Sequence, residues 1–561
     1  MTKYKLNLIF LLVLWVLLNI PAASNRPFLS SGEPREALST QYIFNTGNWL
    51  IAKRYGEELQ TKPPLSHWVS AVFSLPFGQV SEFSSRSSSL IFSLVALLMF
   101  YFFVKKYLDS DIAFLSSLIL LLSPEWLRSS QTARVDMTLA GSELIAMLAM
   151  FEFYKSKFKS KKLFILISLF LTLSFLTKGP VGAILPLTVF GIFLLIKKVR
   201  VKEVFILILK LFITSSVLPL LWYIKAYFMF GNEFVEIIIL ENFKRLSSTM
   251  DIVSSGKDPH EHSALYLYGT LILGFLPFSL YFLSFVRQLK SINNFKRLIL
   301  SNDVYLFFIV ATLFNIIFFS IPSSKRSVYL LPIYPYCAVF IALFFLKNAN
   351  LKFHKIVDYL LLTLIICFCS LVFLFLKIDF ANLNDIFRFS ERKLLEANFY
   401  QEILTTTFTN QLFPIVFLIA IFIAIIQILF NNRFNKNLRL VLLSLYCILI
   451  VTINSFLMPN LAIHLSPKGY AKNIDSIINN EEVFTYKFRD YSLNFYLNGK
   501  LKELREISAI EPPSYLIVKD SEIDDKVKSL IDSQKLVRKF NDYISFKWPS
   551  KNYILFQVQE N

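Results

Sequence analysis

One polar stretch, directly after the first apolar segment, carries the residue types that group-transfer chemistry needs. Residues 31–65 run SGEPREALSTQYIFNTGNWLIAKRYGEELQTKPPL, with Glu33, Arg35 and Glu36 in one cluster and Lys62 in a Lys-Pro-Pro turn. Lysine and arginine stabilise negative charge that develops on a leaving phosphate, and a carboxylate can take a proton from an attacking hydroxyl. The stretch therefore suits transfer from a donor activated by phosphate.

Further polar motifs stand beside apolar segments. They are Arg134 and Asp136 in ARVDM, Lys178 in LTKGPVG, Glu241, Asn242, Lys244 and Arg245 in ENFKRL, His260 and His262, and Lys325, Arg326 and Tyr329 in SSKRSVYLLP. Each also has a structural interpretation. Asp136 suits the start of a helix, where the dipole favours an acid, and it could pair with Arg134. Lys178 could be an interfacial lysine, and the two histidines a solvated loop.

The composition predicts a polytopic membrane protein. The 561 residues include 59 Phe, only 17% are charged, and the mean hydropathy is +0.54. A soluble surface needs more charge than this. The net charge of +19 does not indicate nucleic-acid binding, because the basic residues concentrate in alternate short loops between apolar segments, as expected for loops on the cytoplasmic side of a membrane.

Segments of membrane-spanning length predict about thirteen crossings. They lie near 6–22, 87–104, 112–127, 136–154, 163–177, 180–196, 204–228, 264–286, 303–321, 327–346, 356–376, 411–430 and 440–458. With a cytoplasmic amino terminus, the external segments are 23–86, 229–263, 377–410 and the tail. Residues 1–24 have a cleaved signal peptide as the alternative interpretation. The four cysteines fall in or beside these segments and suit apolar packing rather than disulfides.

The chain divides into a transmembrane domain, residues 1–458, and a polar tail, residues 459–561. The tail alternates helical and strand patterns. Helical patterns occur in GYAKNIDSIINN and SEIDDKVKSLIDSQKLV, and strand patterns in EVFTYKF and SYLIVKD. We therefore expect a small external α/β domain behind an α-helical membrane domain.

The polar motifs all fall on the predicted external side. Charges at membrane level are costly, so their gathering on one face predicts a polar cavity that opens to that side. Sugar nucleotides are cytoplasmic, so glycosyl transfer outside the cell relies on sugars linked to polyprenyl phosphate. Transfer of this kind is the first functional hypothesis. A translocase that binds the same head group without chemistry is the alternative, although the chain lacks the internal repeat common in transporters.

The motifs also resemble a known family. The 31–65 stretch with its continuation SHW, together with ARVDM, LTKGPVGAILP, ENFKRL, GFLPFS and SSKRSVYLLPIYP, has the order and spacing of the bacterial aminoarabinose transferase (ArnT-like) family. This family is a branch of the GT-C glycosyltransferases related to protein O-mannosyltransferases, and the resemblance covers residues 5–345 most firmly. It implies a GT-C membrane fold of the bacterial inner membrane with a periplasmic site.

The resemblance also implies roles for individual residues. Glu33 and Asp136 would be catalytic, and the substrate-binding residues would be Arg35, Lys62, Arg134, Lys178, Asn242, Arg245, His262, Lys325 and Tyr329. The donor would be a polyprenyl-phosphate sugar. The acceptor would be a glycolipid similar to lipid A, a glycan or a protein, and no nucleic acid would bind.

Two departures from the family pattern affect the chemistry. Gly32 replaces the usual aspartate, which leaves the identity of the base open between Glu33 and Asp136. Thr61 replaces a glutamate that is tied to a metal in some relatives, so we expect no metal cofactor. A phosphate acceptor would need no strong base and would tolerate the loss of that aspartate.

Overall fold

A computed structural model describes most of the chain. The described residues are 3–29, 32–56, 58–60, 62–243, 261–281, 299–347, 352–378, 391–409, 438–479, 481–506, 510–540 and 553–559. The predicted segment 411–430 and the candidates Arg245 and His260 lie outside them. Asn242 is within a described helix, but its side chain is not among the described ones.

Helices dominate residues 3–465, as the predicted α-helical membrane fold requires. They are α1 Lys3–Asn25, α2 Gly32–Thr46, α3 Leu65–Ser74, α4 Glu82–Tyr107, α5 Ser110–Leu122, α6 Pro124–Ser130, α7 Val135–Lys155, α8 Lys161–Lys178, α9 Val181–Ile196, α10 Val201–Phe243, α11 Ala264–Gly274, α12 Asp303–Ser320, α13 Tyr334–Lys347, α14 Lys352–Lys377, α15 Glu391–Thr409, α16 Leu438–Thr452 and α17 Met458–Leu465. A two-stranded ribbon, β1 Lys53–Arg54 and β2 Glu58–Leu59, lies between α2 and α3.

Eight helical segments in the described part are long and apolar enough to cross a membrane, or nine if the bent pair α5 and α6 counts as one crossing. The chain is therefore a multi-pass membrane protein. The number thirteen stays a prediction, because α9 is an apolar helix of only 16 residues and α8 has lysines at both ends. Helix α10 has a non-helical residue, Gly231, at a kink.

Helix α7 lies at the centre of the bundle, since 89% of its most apolar 18-residue stretch is buried. It packs against α4, α8 and α9, and the surrounding core is rich in leucine and phenylalanine. Asp136, in the first turn of α7, is therefore held at the middle of one end of the bundle.

The opposite end of the bundle collects lysines and acids. Lys106 at the end of α4 pairs with Glu152 at the end of α7 at 2.6 Å. Asp303 at the start of α12 accepts from Lys155 and Lys197, each at 2.7 Å. The carboxyl ends of α4, α7 and α9 and the amino end of α12 therefore lie at the same end of the bundle, as the loop-charge pattern predicts.

The tail folds into a small α/β domain, as expected. Its elements are α18 Lys468–Ile478, β3 Glu482–Tyr486, α19 Tyr491–Tyr496, β4 Leu501–Leu504, β5 Ser514–Lys519, α20 Asp525–Asp532, β6 Leu536–Phe540 and β7 Tyr553–Val558. The sheet order is β4-β3-β5-β7-β6, with β3 parallel to β4 and β5 and with β7 antiparallel to β5 and β6. The described helix α17 continues to Leu465, beyond the predicted domain boundary at 458.

This tail domain docks on the polar stretch that follows α1. Gln41 of α2 donates to the Asn498 side chain at 2.9 Å, and the Tyr496 hydroxyl accepts from the Phe28 backbone N–H at 2.9 Å. Tyr491 donates to Glu58 of β2 at 2.9 Å. The domain therefore supports the loop that carries the Glu-Pro-Arg-Glu cluster and the Lys-Pro-Pro turn.

Two glycines of α9 provide a matched test of how closely α9 packs against its neighbouring helices. A Cβ at Gly182 would stand 2.5 Å from the Ser174 backbone oxygen of α8, whereas a Cβ at Gly191 would meet nothing closer than 3.8 Å. We predict that Gly182→Ala destabilises the protein by about 1–3 kcal/mol because the helices must separate. Gly191→Ala should be neutral or stabilising by up to about 1 kcal/mol through helix propensity. Thermal unfolding in detergent measures both, and equal unfolding temperatures would contradict the close approach of α8 and α9.

Candidate active site

Lys62 and Glu36 form the first ion pair of the candidate site. The Lys62 ammonium donates to Glu36 Oε1 at 3.0 Å, and Arg35 approaches the same oxygen at 3.4 Å. Burial alone would raise the pKa of Glu36, but the charge of Lys62, the hydrogen bond from His67 and the charge of Arg35 outweigh it and hold this pKa well below its usual range. Burial also lowers the pKa of Lys62, and Glu36 opposes that effect. Glu36 is therefore a carboxylate at neutral pH.

His67 fixes the other oxygen of Glu36. Its Nε2 lies 3.0 Å from Glu36 Oε2, and its Nδ1 lies 3.0 Å from the Gln60 amide nitrogen. Because an amide N–H can only donate, Nδ1 accepts and Nε2 carries the proton. The same Gln60 nitrogen donates to the Lys62 backbone oxygen at 2.6 Å. Gln60 thus couples the histidine to the Lys-Pro-Pro turn and fixes the Glu36 side chain relative to that turn.

Asp136 and Lys178 form the second pair. The Lys178 ammonium donates to Asp136 Oδ1 at 2.7 Å, and both side chains keep partial access to solvent. Lys178 ends α8 because Gly179 follows it with a φ of 85°, a left-handed conformation that favours glycine. Its ammonium also lies 5.0 Å from the centre of the Tyr329 ring. The sequence allowed an ion pair between Asp136 and Arg134. In the structure the partner of Asp136 is Lys178.

Lys62 of the first pair and both members of the second pair line one cavity of about 170 Å³, whereas Glu36 contacts Lys62 from outside the lining. The polar lining residues are Lys62, Asp136, Glu143, Lys178, Tyr223, Ser324 and Tyr329, and the remaining wall is mainly apolar, from Leu139, Val181, Leu185, Phe318 and Phe319. Val181 on that wall is exposed on the bundle surface. A charged group at one end with apolar walls beyond it matches a phosphate that carries a hydrocarbon chain.

Glu33 has a different environment from the one that its predicted catalytic role requires. Arg86, whose side chain is fully buried, donates to both oxygens of Glu33 at 2.9 and 3.3 Å. The Ala133 backbone N–H donates to Glu33 Oε1 at 3.0 Å. Arg86 also donates to the backbone oxygens of Ala23 and Arg26. These contacts fix α2 on the bundle, and Glu33 is not among the residues that line the cavity of about 170 Å³.

The remaining candidates occupy different positions around the two lysines. Tyr329 lines the cavity with the two lysines, whereas Arg35 and Arg134 line a neighbouring cavity. Lys325 is buried and donates to the backbone oxygens of His262 and Pro322, so its ammonium holds two loop segments together. The His262 ring stacks on the Tyr266 ring with 4.0 Å between their centres, and neither residue lines the cavity that contains the two lysines.

Several residues at the site were not among the predicted site residues. They include Glu36, Gln60, His67, Arg86, Glu143, Arg326 and Tyr491. Arg86 had a usable signal, because an arginine at the start of a predicted span must find a buried partner. Glu36 stood in the noted cluster, but the sequence does not indicate which of its two glutamates contacts Lys62. Tyr491 comes from the tail domain, and its approach depends on tertiary docking.

The donor set offers little for a metal ion. Within the described ranges no three His, Cys, Asp or Glu side chains come together. Glu36 and His67 are hydrogen-bonded to each other, and the second Glu36 oxygen is held by Lys62. Thr61, at the position tied to a metal in some relatives, is outside the described residues.

Sequence comparison connects this region to transferases. Residues 61–223 match the model of the dolichyl-phosphate-mannose-protein mannosyltransferase family. An uncharacterised protein of Aquifex aeolicus is 29% identical over 341 residues, which is 60% of this chain and 72% of that protein. The undecaprenyl phosphate-alpha-4-amino-4-deoxy-L-arabinose arabinosyl transferase of Wigglesworthia glossinidia brevipalpis is 23% identical over 359 residues, 63% of this chain and 60% of the relative.

Structure comparison covers nearly the whole chain. The crystal structure of ArnT from Cupriavidus metallidurans bound to undecaprenyl phosphate superposes with a TM-score of 0.72 at 17% identity, over 98% of this chain and 97% of that one. The apo structure of the same protein gives 0.71 at 16% identity. The fold is therefore that of this ArnT structure, the GT-C fold that the motifs predicted. The resemblance to the aminoarabinose transferase branch, predicted from the motifs, is confirmed.

The Glu33–Arg86 contact leads to a stability prediction. Glu33→Gln keeps the side-chain shape but leaves the Arg86 charge buried without its counter-ion. We expect a loss of about 3–5 kcal/mol, the usual cost of breaking a buried ion pair. Thermal unfolding of the purified protein in detergent measures it.

A matched control is Glu203→Gln, since Glu203 pairs with Arg200 on the surface and its side chain is 51% exposed. Its effect should stay within about 0.5 kcal/mol. Equal stability of the two variants would contradict a structural role for Glu33.

Proposed function

We propose that this protein is an inverting glycosyltransferase that moves a sugar from a polyprenyl-phosphate donor onto an acceptor at the outer face of the bacterial inner membrane. The observation that carries the proposal is the cavity in which Lys62 and Lys178, each paired with a carboxylate, stand at one end of apolar walls. The fold similarity to ArnT with undecaprenyl phosphate supports the donor class.

The two lysines provide the electrostatic part of the mechanism. A phosphate ester leaves with its electron pair on oxygen when the bond to the anomeric carbon breaks. Ammonium groups that stand ready at that oxygen stabilise this charge without reorganisation. Glu36 and Asp136 hold the two ammonium groups in position while the donor is absent. The arriving phosphate then shares the ammonium protons with the carboxylates.

The acceptor attacks the anomeric carbon from the face opposite the phosphate, which inverts the configuration. A hydroxyl acceptor must lose its proton, and Asp136 is the carboxylate that we assign to orient it and accept that proton. Glu33 was predicted to share this role, but its contacts with Arg86 and Ala133 occupy its oxygens. We assign it to structure, and we assign Glu36 to positioning Lys62.

Orientation follows from charge placement. The site end of the bundle carries Asp136, Lys178 and Tyr329, whereas the far end carries the lysine-rich loops around Asp303. Basic loops face the cytoplasm. The site and the tail domain then face the periplasm, where lipid-linked sugars replace nucleotide sugars as donors.

The central prediction concerns Lys62. Lys62→Ala should leave the protein inserted and folded but lower kcat/KM at least about 10²-fold, since removal of one donor to a developing oxyanion costs about 10²–10³ in rate. The assay follows consumption of a polyprenyl-phosphate sugar by purified protein in detergent. Lys472→Ala, at an exposed lysine of the tail domain, is the control and should retain full activity.

The same assay separates the enzyme from its alternative. A translocase needs a membrane with two sides and does nothing to its lipid in detergent micelles. Full activity in Lys62→Ala would contradict the lysine assignment. If the wild-type protein consumes no donor in detergent but moves the lipid across vesicle membranes, the transferase proposal itself is wrong.

A further inference from the structure

One carboxyl group in the lysine cavity takes no part in the proposed transfer. Glu143 lines the cavity of about 170 Å³ together with Lys62, Asp136 and Lys178, and it is only 4% exposed. Within the part of the chain that the structure describes, its Oε1 has no hydrogen-bond partner. The Lys178 ammonium in the same cavity pairs with Asp136. The fold therefore buries Glu143 at the wall of a cavity without satisfying this oxygen.

The position of Glu143 on α7 places it deep in the cavity. Asp136, Leu139 and Glu143 all line the cavity, and their spacing of three and four residues puts them on one face of the helix. Asp136 lies in the first turn of α7. Glu143 follows two turns later, about 10 Å further along the helix axis. The cavity thus has one acid at the end of the bundle and a second acid towards its interior.

Stability does not explain this glutamate. A carboxyl group among apolar side chains loses its hydration and is compensated only by hydrogen bonds. Glu33 shows how the fold provides them elsewhere, since Arg86 and the Ala133 backbone N–H donate to its oxygens. Ionisable residues inside membrane helices mark substrate sites. The partner that suits Glu143 is therefore a group of the ligand.

One part of the proposed donor matches a carboxyl group. The polyprenyl chain has no polar atoms, and the phosphate is an anion that suits Lys62 and Lys178. The sugar carries hydroxyl groups around its ring, and some sugars also carry an amine. A carboxylate accepts from either group, and a protonated carboxyl both donates to a hydroxyl and accepts from it. The match with the sugar therefore holds in either protonation state of Glu143.

We propose that Glu143 binds the ring hydroxyl or amino groups of the donor sugar and is a specificity-determining residue of the transfer. This inference rests on the proposed transferase function. With the phosphate at the two lysines and the acceptor beside Asp136, the sugar ring extends from its anomeric carbon into the cavity towards Glu143. A site built to bind a hydroxyl disfavours ligands without it, because its buried polar group is then left unpaired. Glu143 thus favours the glycosylated donor over the bare polyprenyl phosphate that transfer leaves behind.

Competition between two lipids tests the contact without relying on turnover. Native mass spectrometry of the full-length protein in detergent, with bare and glycosylated undecaprenyl phosphate at equal concentration, reports the ratio of their dissociation constants. The glycosylated probes carry glucose, mannose or 4-amino-4-deoxyarabinose. The wild type should prefer at least one of them. Glu143→Met keeps the side-chain length but removes the oxygens, and it should lower that preference at least about tenfold.

Two further variants complete the binding experiment. Glu203→Met changes a glutamate whose side chain is 51% exposed in a surface ion pair, and it should keep the wild-type preference. Glu143→Gln distinguishes the two possible partners on the sugar. An amide still hydrogen-bonds a hydroxyl but offers no charge to an ammonium, so Glu143→Gln should retain more preference than Glu143→Met for a neutral sugar and no more for the amino sugar.

A folding measurement separates binding from a structural role. Because the fold leaves Glu143 Oε1 unsatisfied in the described part of the chain, Glu143→Met should unfold in lipid-free detergent at the wild-type temperature or above it. A lower unfolding temperature together with an unchanged lipid preference would make Glu143 a structural residue and overturn the proposal.

The inference and the transferase proposal fail in different ways. If the wild type prefers no glycosylated probe, or if Glu143→Met weakens bare and glycosylated lipid equally, Glu143 does not contact the sugar, even where transfer proceeds. If the preference depends on Glu143 but the protein consumes no donor in detergent, the transferase proposal is wrong and the sugar contact stands.

Discussion

Two lysine–carboxylate pairs at one end of the helix bundle are the constraint on which the site depends. Charges at the level of a bilayer are expensive unless they are paired, and breaking such a pair costs more than removing it whole. The Glu36–Lys62 pair joins α2 to the turn before α3, and the Asp136–Lys178 pair joins α7 to α8. Because both lysines and Asp136 line one cavity, folding of the bundle and assembly of the site are the same event.

The tail domain extends this constraint beyond the membrane helices. In this domain, Asn498 accepts a hydrogen bond from Gln41 of α2. Tyr491 of α19 donates to Glu58 in the ribbon formed by β1 and β2. The loop that carries Lys62 is thus held on one side by Glu36 of α2 and on the other by a domain some 400 residues later in the chain. This second support gives the loop a defined position.

The sequence predicts the features that depend on local pattern. Apolar length predicts the helices, loop charge predicts their alternation, and the costs of membrane charges predict that Lys62, Asp136, Lys178 and Tyr329 converge. The sequence does not show which of two nearby charged residues contacts a given partner. Glu33 and Glu36 lie three residues apart, on nearly the same face of one helix. Even so, Glu33 contacts Arg86, whereas Glu36 contacts Lys62. Arg326 faces a cavity while the adjacent Lys325 binds backbone oxygens, and only the tertiary path of the loop decides between them.

Two neighbouring cavities differ in how far carboxylates compensate the charge of their basic side chains. A lysine held by a carboxylate contributes little net field at a distance, yet it is positioned to share its protons with an arriving phosphate. A half-buried arginine without a carboxylate projects its full charge and attracts an anion before contact. Gly32 lines the cavity that contains Arg134, and a side chain at position 32 would move this arginine, while an acidic side chain would also cancel its charge.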